Sequence, residues 1–419
     1  NFVSNFVSNF VSNFVSNFVS NFVSNLVSNR CRVTTFISIR VRGTVAKQQR
    51  LHEPVKRVLT RNSDIREGDV NAKEKARKRE RKDSIMDTRA LGSSGIQASA
   101  VGLGTWAIGG WMWGGTEESR AIRAIQAALD SGINLVDTAP IYGFGVSEEV
   151  VGKAIKDRRD SVVLATKCGL IWHEERGDFF FHSDEKRINE GGSTKVYRCL
   201  EPDMIRWEVE QSLRRLQTDR IDLLQTHWQA STTPIPETME TLVKLKEEGK
   251  IRSIGCSNAS PEQMDEYRSA GELDVDQELY SMLDRQHEAK NLPYCAQNNI
   301  AFLAYSALGQ GLLTGKMGPE RTFNEGDQRQ GHPRFSVENR KKVNQMLEEF
   351  SPIAEEHDAN LGQLAIAWTK EQYGCSHVLI GARDEKQALD NAKAGEITLS
   401  DDELKKMRTI VEKHTPDIR

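Results

Sequence analysis

From Ala100 onward, short apolar runs alternate with amphipathic segments, and this alternation constrains the fold more than any other feature. The runs are Val101–Leu103, Asn134–Asp137, Val162–Lys167, Asp222–His227, Ile251–Cys256, Val275–Gln277, Ala301–Tyr305 and Val378–Ile380. Unbroken apolar runs suit parallel strands covered on both faces. The segments between them carry helix signals. Thr116-Glu-Glu supplies a cap and two acids ahead of Ala121, Ile122, Ile125, Ala128 and Leu129, and Ser131-Gly132 stops the pattern. Glu201-Pro-Asp203 starts a second helix, while Pro234–Gly249 and Ser260–Ala270 repeat the scheme. Eight such βα repeats predict a (β/α)8 TIM barrel, with a doubly wound sheet as the alternative. Thr88 to Gln97 reads as a β-hairpin about Gly92-Ser-Ser-Gly95, placed before the barrel. Two long segments, Cys168–Arg198 and Gly309–Pro333, follow strands and are expected as loops over the C-terminal mouth.

The first 85 residues are of another kind. Six copies of Asn-Phe-Val-Ser and one Asn25-Leu-Val-Ser28 fill residues 1–28, a period that fits neither a helix nor a solenoid. The stretch Lys73–Lys82 is basic, and residues 1–85 carry a net charge of +10 against −13 for residues 86–419. A transit peptide is poor in acids and a nucleic-acid arm avoids interleaved Glu, so neither fits. The segment reads as translated upstream sequence or a mis-joined gene model, disordered, with Met86 as the expected start. Residues 86–419 are then one barrel domain. Its acidity disfavours nucleic acid, and no apolar stretch reaches the ~18 residues of a membrane helix. Six scattered cysteines without C-x-x-C point away from a disulfide framework or zinc and toward the cytoplasm.

Asp137, Lys167 and His227 close three of the runs, and Tyr142 follows Asp137 by five residues. The C-terminal strand ends of a barrel share one face, so these groups should converge. A phenol is a poor acid at neutral pH, and an adjacent ammonium would lower its pKa. Lys167 is placed for that, Asp137 to compensate the buried ammonium, and His227 to polarise a carbonyl or share the proton. Read singly, a buried Tyr or His is an ordinary core polar group; the four together read as catalytic.

Gly102-Leu-Gly104-Thr-Trp-Ala107 satisfies G-x-G-x-x-A, but Ile108-Gly-Gly-Trp-Met-Trp-Gly-Gly115 follows and no acid sits at a second strand end, which rejects a Rossmann site. Trp106, Trp111 and Trp113 are expected to line the mouth or cap the core. Ser257, Asn258 and Gln277 suit a carboxamide, and the ring of Tyr305 suits a planar heterocycle. Ser306–Lys316 is rich in backbone N–H groups for a pyrophosphate. Gly381-Ala-Arg383 runs into a helix whose N-terminus suits a 2′-phosphate, or simply closes the barrel.

Asp137-Thr-Ala-Pro-Ile-Tyr142-Gly, Lys167, Gln-Thr-His227-Trp, Ile254-Gly-Cys-Ser-Asn258 and Gly381-Ala-Arg383 together resemble the aldo-keto reductase superfamily over roughly residues 87–415. The likeness is greatest to the bacterial and plant branch related to potassium-channel β subunits. That resemblance implies NADPH, rather than NADH, extended across the barrel mouth, with Tyr142 as proton donor and Asp137, Lys167 and His227 completing a tetrad. It places Gly104, Thr105 and Trp106 near the nicotinamide, with Ser257, Asn258, Gln277 and Tyr305. Ser306, Leu308, Gln310, Gly315 and Lys316 would hold the pyrophosphate, and Gly381, Arg383, Gln387 and Asn391 the adenosine 2′-phosphate. Trp113 and Trp228 would contact substrate. Two departures stand out: Trp228-Gln-Ala replaces Trp-Pro-Asp, and Gly381-Ala382 replaces a Lys-Ser pair, leaving Arg383 to favour NADP. The implied activity is reduction of aldehydes and ketones. Alternatives are a redox-sensing subunit that holds NADP(H) with weak turnover, or a sugar or alcohol dehydrogenase. A metal site is not expected, nor a partner beyond a small carbonyl compound, and self-association is left open.

Overall fold

A computed structural model of the chain describes residues 86–187 and 190–414. The repeat and basic run over residues 1–85, with the domain reading attached to them, lie outside the described residues. The expected hairpin is present as β1 (Thr88–Ala90) and β2 (Gln97–Ser99). Then come β3 (Val101–Gly104), β4 (Leu135–Asp137) and β5 (Val163–Cys168). The segment after β5, expected as a loop, is instead an antiparallel sheet of β6 (Leu170–Ile171), β7 (Asp178–Arg187) and β8 (Glu190–Arg198). The chain returns to the barrel with β9 (Ile221–Thr226), β10 (Ile251–Ser257), β11 (Val275–Leu279), β12 (Ala301–Tyr305) and β13 (Cys375–Gly381). The eight barrel strands pair in parallel, in sequence order, and β13 closes on β3. All eight coincide with the apolar runs, as burial on both faces requires.

The helices are α1 (Glu118–Asp130), α2 (Val146–Ile155), α3 (Pro202–Leu216), α4 (Ile235–Glu247), α5 (Pro261–Ala270) and α6 (Asn291–Asn298). They continue with α7 (Val337–Glu348), α8 (Ser351–Glu356), α9 (Leu361–Lys370), α10 (Glu385–Ala392) and α11 (Asp401–His414). Glu117, rather than Thr116, caps α1, its carboxylate accepting from Ser119 and Arg120 N–H. The longer acidic side chain satisfies two orphan donors where a threonine reaches one. α5 begins with a reciprocal box between Ser260 and Gln263, so one of the expected starts is also fixed by side-chain bonds.

Alternation along the strands builds two cores. Residues pointing outward, such as Val136, Leu164, Leu224, Ile254 and Phe302, pack beneath the helices. Those pointing inward, including Leu135, Val163, Ala165, Leu223, Val275 and Leu303, fill the barrel together with Leu91 and Ile96 of the hairpin. The same two-residue period carries polar side chains inward at the upper end: Asp137 beyond Leu135, Lys167 beyond Ala165, Gln225 beyond Leu223 and Gln277 beyond Val275. The barrel interior thus changes from apolar to polar within one strand pitch.

Candidate active site

Lys167 is 1% exposed, and each of its three donors has an acceptor. Nζ lies 2.6 Å from Asp137 Oδ1, 3.0 Å from the Thr138 carbonyl and 3.3 Å from the Tyr142 hydroxyl. The other carboxylate oxygen, Oδ2, accepts from Gln277 Nε2 at 2.9 Å and Gln225 Nε2 at 3.1 Å. Gln225 was not singled out in the sequence, although its place in the inward register of β9 is the signal that marks it. The amide of Gln277, expected on a cofactor, serves Asp137.

Close backbone approach sets the phenol. A Cβ at Gly109 would stand 2.7 Å from the Tyr142 carbonyl oxygen, so only glycine lets the turn after β3 pack on this segment. That turn is one short helical stretch, Trp106–Gly109, ended by Gly110 in the left-handed region at φ 75°. This single turn starts at Trp106, ahead of the glycine-rich Ile108–Gly115 stretch, and is too short to present a dinucleotide site. Trp106 lies 6.2 Å from the Tyr142 ring, and the imidazole of His227 5.8 Å from it, edge-on. His227 is held through its backbone, its N–H donating to the Cys168 carbonyl at 2.9 Å.

Burial governs the electrostatics here. The Tyr142 phenol is pushed above its usual value, first by loss of water; the Lys167 ammonium opposes this and the Asp137 carboxylate reinforces it. The expectation of a depressed phenol is therefore corrected: the ammonium acts as foreseen but desolvation outweighs it. Burial pulls the Lys167 ammonium down, yet Asp137 and Tyr142 carry it above the ordinary lysine value. His227 is held well below its usual range by burial and then by the charge of Lys167. At neutral pH the site presents a neutral phenol, an ammonium and a neutral imidazole.

Behind β5, the buried carboxyl of Glu208 accepts the Gly169 N–H at 2.7 Å. Burial raises it to about 8, with the Gly169 N–H and Arg215 opposing and Glu148 adding to the rise. The unfolded chain ionises this group near its ordinary value, so between about pH 4.5 and 8 the unfolded state binds fewer protons and stability falls as pH rises. Glu208→Gln keeps an oxygen acceptor for Gly169 and removes that titration. Its stability relative to the parent should increase between pH 5 and pH 8, read from urea midpoints; equal differences at both pH values would contradict this.

The tetrad opens into a cavity of about 710 Å³, within the size range of small-molecule sites. Asp137, Tyr142 and His227 line its inner end, with Gly104, Thr105 and Trp106. Ser257, Gln277 and Tyr305 also reach it, followed by Ser306, Leu308, Gln310 and Lys316. Gly381, the neighbour of Gly104 across the β3–β13 pair, lines it with Arg383, Gln387 and Asn391, and so does Trp113. Four expected residues are not in the lining, the first being Lys167, buried beneath the Tyr142 hydroxyl. Asn258 is occupied within the protein: Nδ2 donates to the His227 carbonyl and Oδ1 accepts from the Tyr305 hydroxyl at 2.9 Å. Gly315 forms the left-handed turn between lining residues Thr314 and Lys316, and Trp228 packs against Phe180.

Four cations line the cavity, Lys316, Arg321, Arg329 and Arg383, with Asp390 among the lining residues, 3.8 Å from Lys316. Arg329 was not anticipated from sequence; it bonds the buried Asp327 and the Gln310 carbonyl and places its guanidinium 4.7 Å from the Trp113 ring centroid. Asp327 itself bridges to Trp113, and Gln328 N–H donates to the Met112 carbonyl, so two loops join over the mouth.

This lining fits a nicotinamide dinucleotide. Gly104 and Gly381 are neighbours across β3 and β13, and a Cβ on either meets nothing nearer than 3.8 Å, so together they leave a floor free of side chains. Trp106 Nε1, Trp113 Nε1 and Gln328 Nε2 are buried donors without a protein partner, all on cavity-lining residues, and an acceptor-rich ligand would satisfy them. Ser306 and Gln310 hold left-handed φ of 59° and 55°, conformations uncommon outside glycine, in the loop facing the cations.

A parallel βα barrel whose axial polar layer ends in an ammonium-flanked phenol, beside a cationic cleft, is an oxidoreductase architecture. The chain belongs to the aldo/keto reductase family, whose profile matches residues 100–412. It is 42% identical over 335 residues to the aldo-keto reductase YhdN of Bacillus subtilis (strain 168), covering 79% of this chain and 96% of that one. An Escherichia coli (strain K12) relative named an NADH-specific methylglyoxal reductase is 42% identical over 328 residues, covering 77% of this chain and 97% of its own. Among solved structures, the glycerol dehydrogenase of Gluconobacter oxydans superposes with a TM-score of 0.70 at 42% identity, covering 79% of this chain and 97% of its own. Enzymes of this family act on small carbonyl compounds with nicotinamide cofactors. Among the described residues no helix is long and apolar enough to cross a membrane.

Proposed function

We propose that this chain reduces aldehydes and ketones to alcohols with NADPH, in the cytoplasm. The observation that carries the reading is the Tyr142 hydroxyl 3.3 Å from Lys167 Nζ, itself 2.6 Å from Asp137, at the inner end of the cavity. A bound reduced nicotinamide supplies the hydride. Tyr142 gives its hydroxyl proton to the carbonyl oxygen as the C=O π pair moves onto that oxygen. The resulting phenolate is held beside the Lys167 ammonium, and the imidazole of His227 donates to the same oxygen. A neutral imidazole suits that task because it polarises without delivering its proton. Ser257, Gln277 and Tyr305 would lie against the nicotinamide half. Gln310, Lys316 and Arg329 would meet the pyrophosphate, with Arg383, Gln387 and Asn391 at the adenosine end.

Arg383 supports NADPH. Its half-buried guanidinium is pulled down by desolvation and by Arg329, and it is anchored to the Gly115 carbonyl, so a bound phosphate dianion would relieve the crowding of charge. The second reading is NADH, favoured by Asp390 among these cations and by the NADH-specific name of the Escherichia coli relative. A third is alcohol oxidation, since the same groups run the reaction backwards and the Gluconobacter relative is named a glycerol dehydrogenase.

The test is aldehyde-dependent oxidation of NADPH and of NADH, followed at 340 nm, by the parent and by Arg383→Ala. The parent should turn over NADPH with the lower KM, and Arg383→Ala should raise that KM about 10–100-fold while changing NADH little. Equal effects on both cofactors would remove Arg383 from 2′-phosphate recognition. Tight cofactor binding without turnover of any aldehyde would turn the reading toward a nucleotide-sensing subunit.

A further inference from the structure

Successive side chains on a regular strand point to opposite faces, so only one of Phe180 and Phe181 should face the cavity. Both line it. The cause is a shift of register between β7 and β8: Phe179 pairs with Tyr197 and Phe181 with Val196, leaving Phe180 as an extra residue. That is a β-bulge, which re-aims a side chain and increases local twist.

Both rings are backed. Phe181 stacks on Trp111 at 5.8 Å, and Trp111 packs edge-on against Phe144 at 5.3 Å while its indole N–H donates to Ser183 Oγ at 3.3 Å. Phe180 lies 5.4 Å from Trp228, with the Arg198 guanidinium over its ring at 5.3 Å. Tyr142 packs against the same apolar cluster. Apart from Asp137, which is held by Lys167, every charged lining residue comes from the segments after β12. The wall formed by β7 is therefore aromatic and uncharged, and it offers little to a hydroxylated chain.

We propose that Phe180 and Phe181, turned onto one face by the bulge, are specificity-determining residues that select carbonyl compounds with an aryl or similarly flat apolar body over small hydroxylated ones. This inference rests on the carbonyl-reductase reading. An aryl ring against two backed phenyl rings gains both burial and ring–ring contact, whereas a triose-sized hydroxyaldehyde leaves the rings uncovered and loses water from its hydroxyls.

The test is kcat/KM for benzaldehyde and for glyceraldehyde in the parent, Phe180→Ala, Phe181→Ala and the two Phe→Leu variants. Cofactor binding, followed by quenching of protein fluorescence, reports that each variant is folded. In the parent the benzaldehyde-to-glyceraldehyde ratio should exceed about 10, and each alanine should lower that ratio about tenfold, through KM for benzaldehyde. Leucine, which restores apolar volume but no aromatic face, should recover part of the loss. A parent ratio near unity, or losses equal for both aldehydes, would overturn the assignment. A parent that binds cofactor and reduces neither aldehyde would overturn the reductase reading, and this inference with it.

Discussion

Lys167→Met is expected to lower folding stability by about 3–5 kcal/mol at pH 7, the usual consequence of removing one partner of a buried ion pair. Lys167 and Asp137 are 1% and 3% exposed, and water cannot replace the ammonium. Two amides remain on Asp137 Oδ2, but Oδ1 loses its only described side-chain donor. The variant must keep an uncompensated carboxylate in a dry layer or take up a proton there. Its deficit should therefore shrink at lower pH, where protonation is easier, and Asp137→Asn in the same background should restore much of the stability. Urea unfolding at pH 5 and pH 7 for both single variants and the double variant measures this coupling. Additive losses, independent of pH, would mean that the pair is electrostatically idle. Activity should fall as well, because the phenolate left after proton transfer loses its stabilising charge.

Tyr142→Phe is expected to lower kcat by about 10²–10⁴-fold while cofactor affinity stays within about threefold, the range for loss of a general acid. The substitution removes one oxygen from a side chain whose ring remains packed between Trp106, His227 and the apolar cluster. Lys167 keeps two of its three acceptors, so the stability cost should be about 1 kcal/mol. A parallel fall in cofactor affinity would instead make the phenol a binding group.

The fold was legible because burial on both faces leaves an apolar signature eight times over. The candidate site was legible because Asp137, Lys167 and His227 interrupt or end those runs where an apolar residue belongs. What stayed hidden depends on register and on three-dimensional burial. In the sequence, Gln225 is passed over and Gln277 is named only for a cofactor, because the two-residue period marks which face they take but not that both amides meet on Asp137. The β7–β8 hairpin is mixed in composition, and its bulge arises from pairing with a strand ten or more residues away. Asn258 has the chemistry to hold a carboxamide, yet the His227 carbonyl and the Tyr305 hydroxyl occupy it. The sign of the Tyr142 shift needed the depth of the pocket as well as the identity of its neighbour. Arg329 stands in a mixed-charge loop, and its place over Trp113 follows from the bridge between two distant segments.

We propose Tyr142, with His227 neutral beside it, as the proton donor. The most direct measurement is the pH dependence of kcat for aldehyde reduction under saturating NADPH. The phenol is held above its usual value and the imidazole well below its own. With Tyr142 as donor, kcat should not fall between about pH 5.5 and 7.5, where an ordinary histidine loses its proton. A kcat that requires a protonated group of apparent pKa about 6.5, and keeps that profile in Tyr142→Phe, would make a histidinium the donor in place of Tyr142.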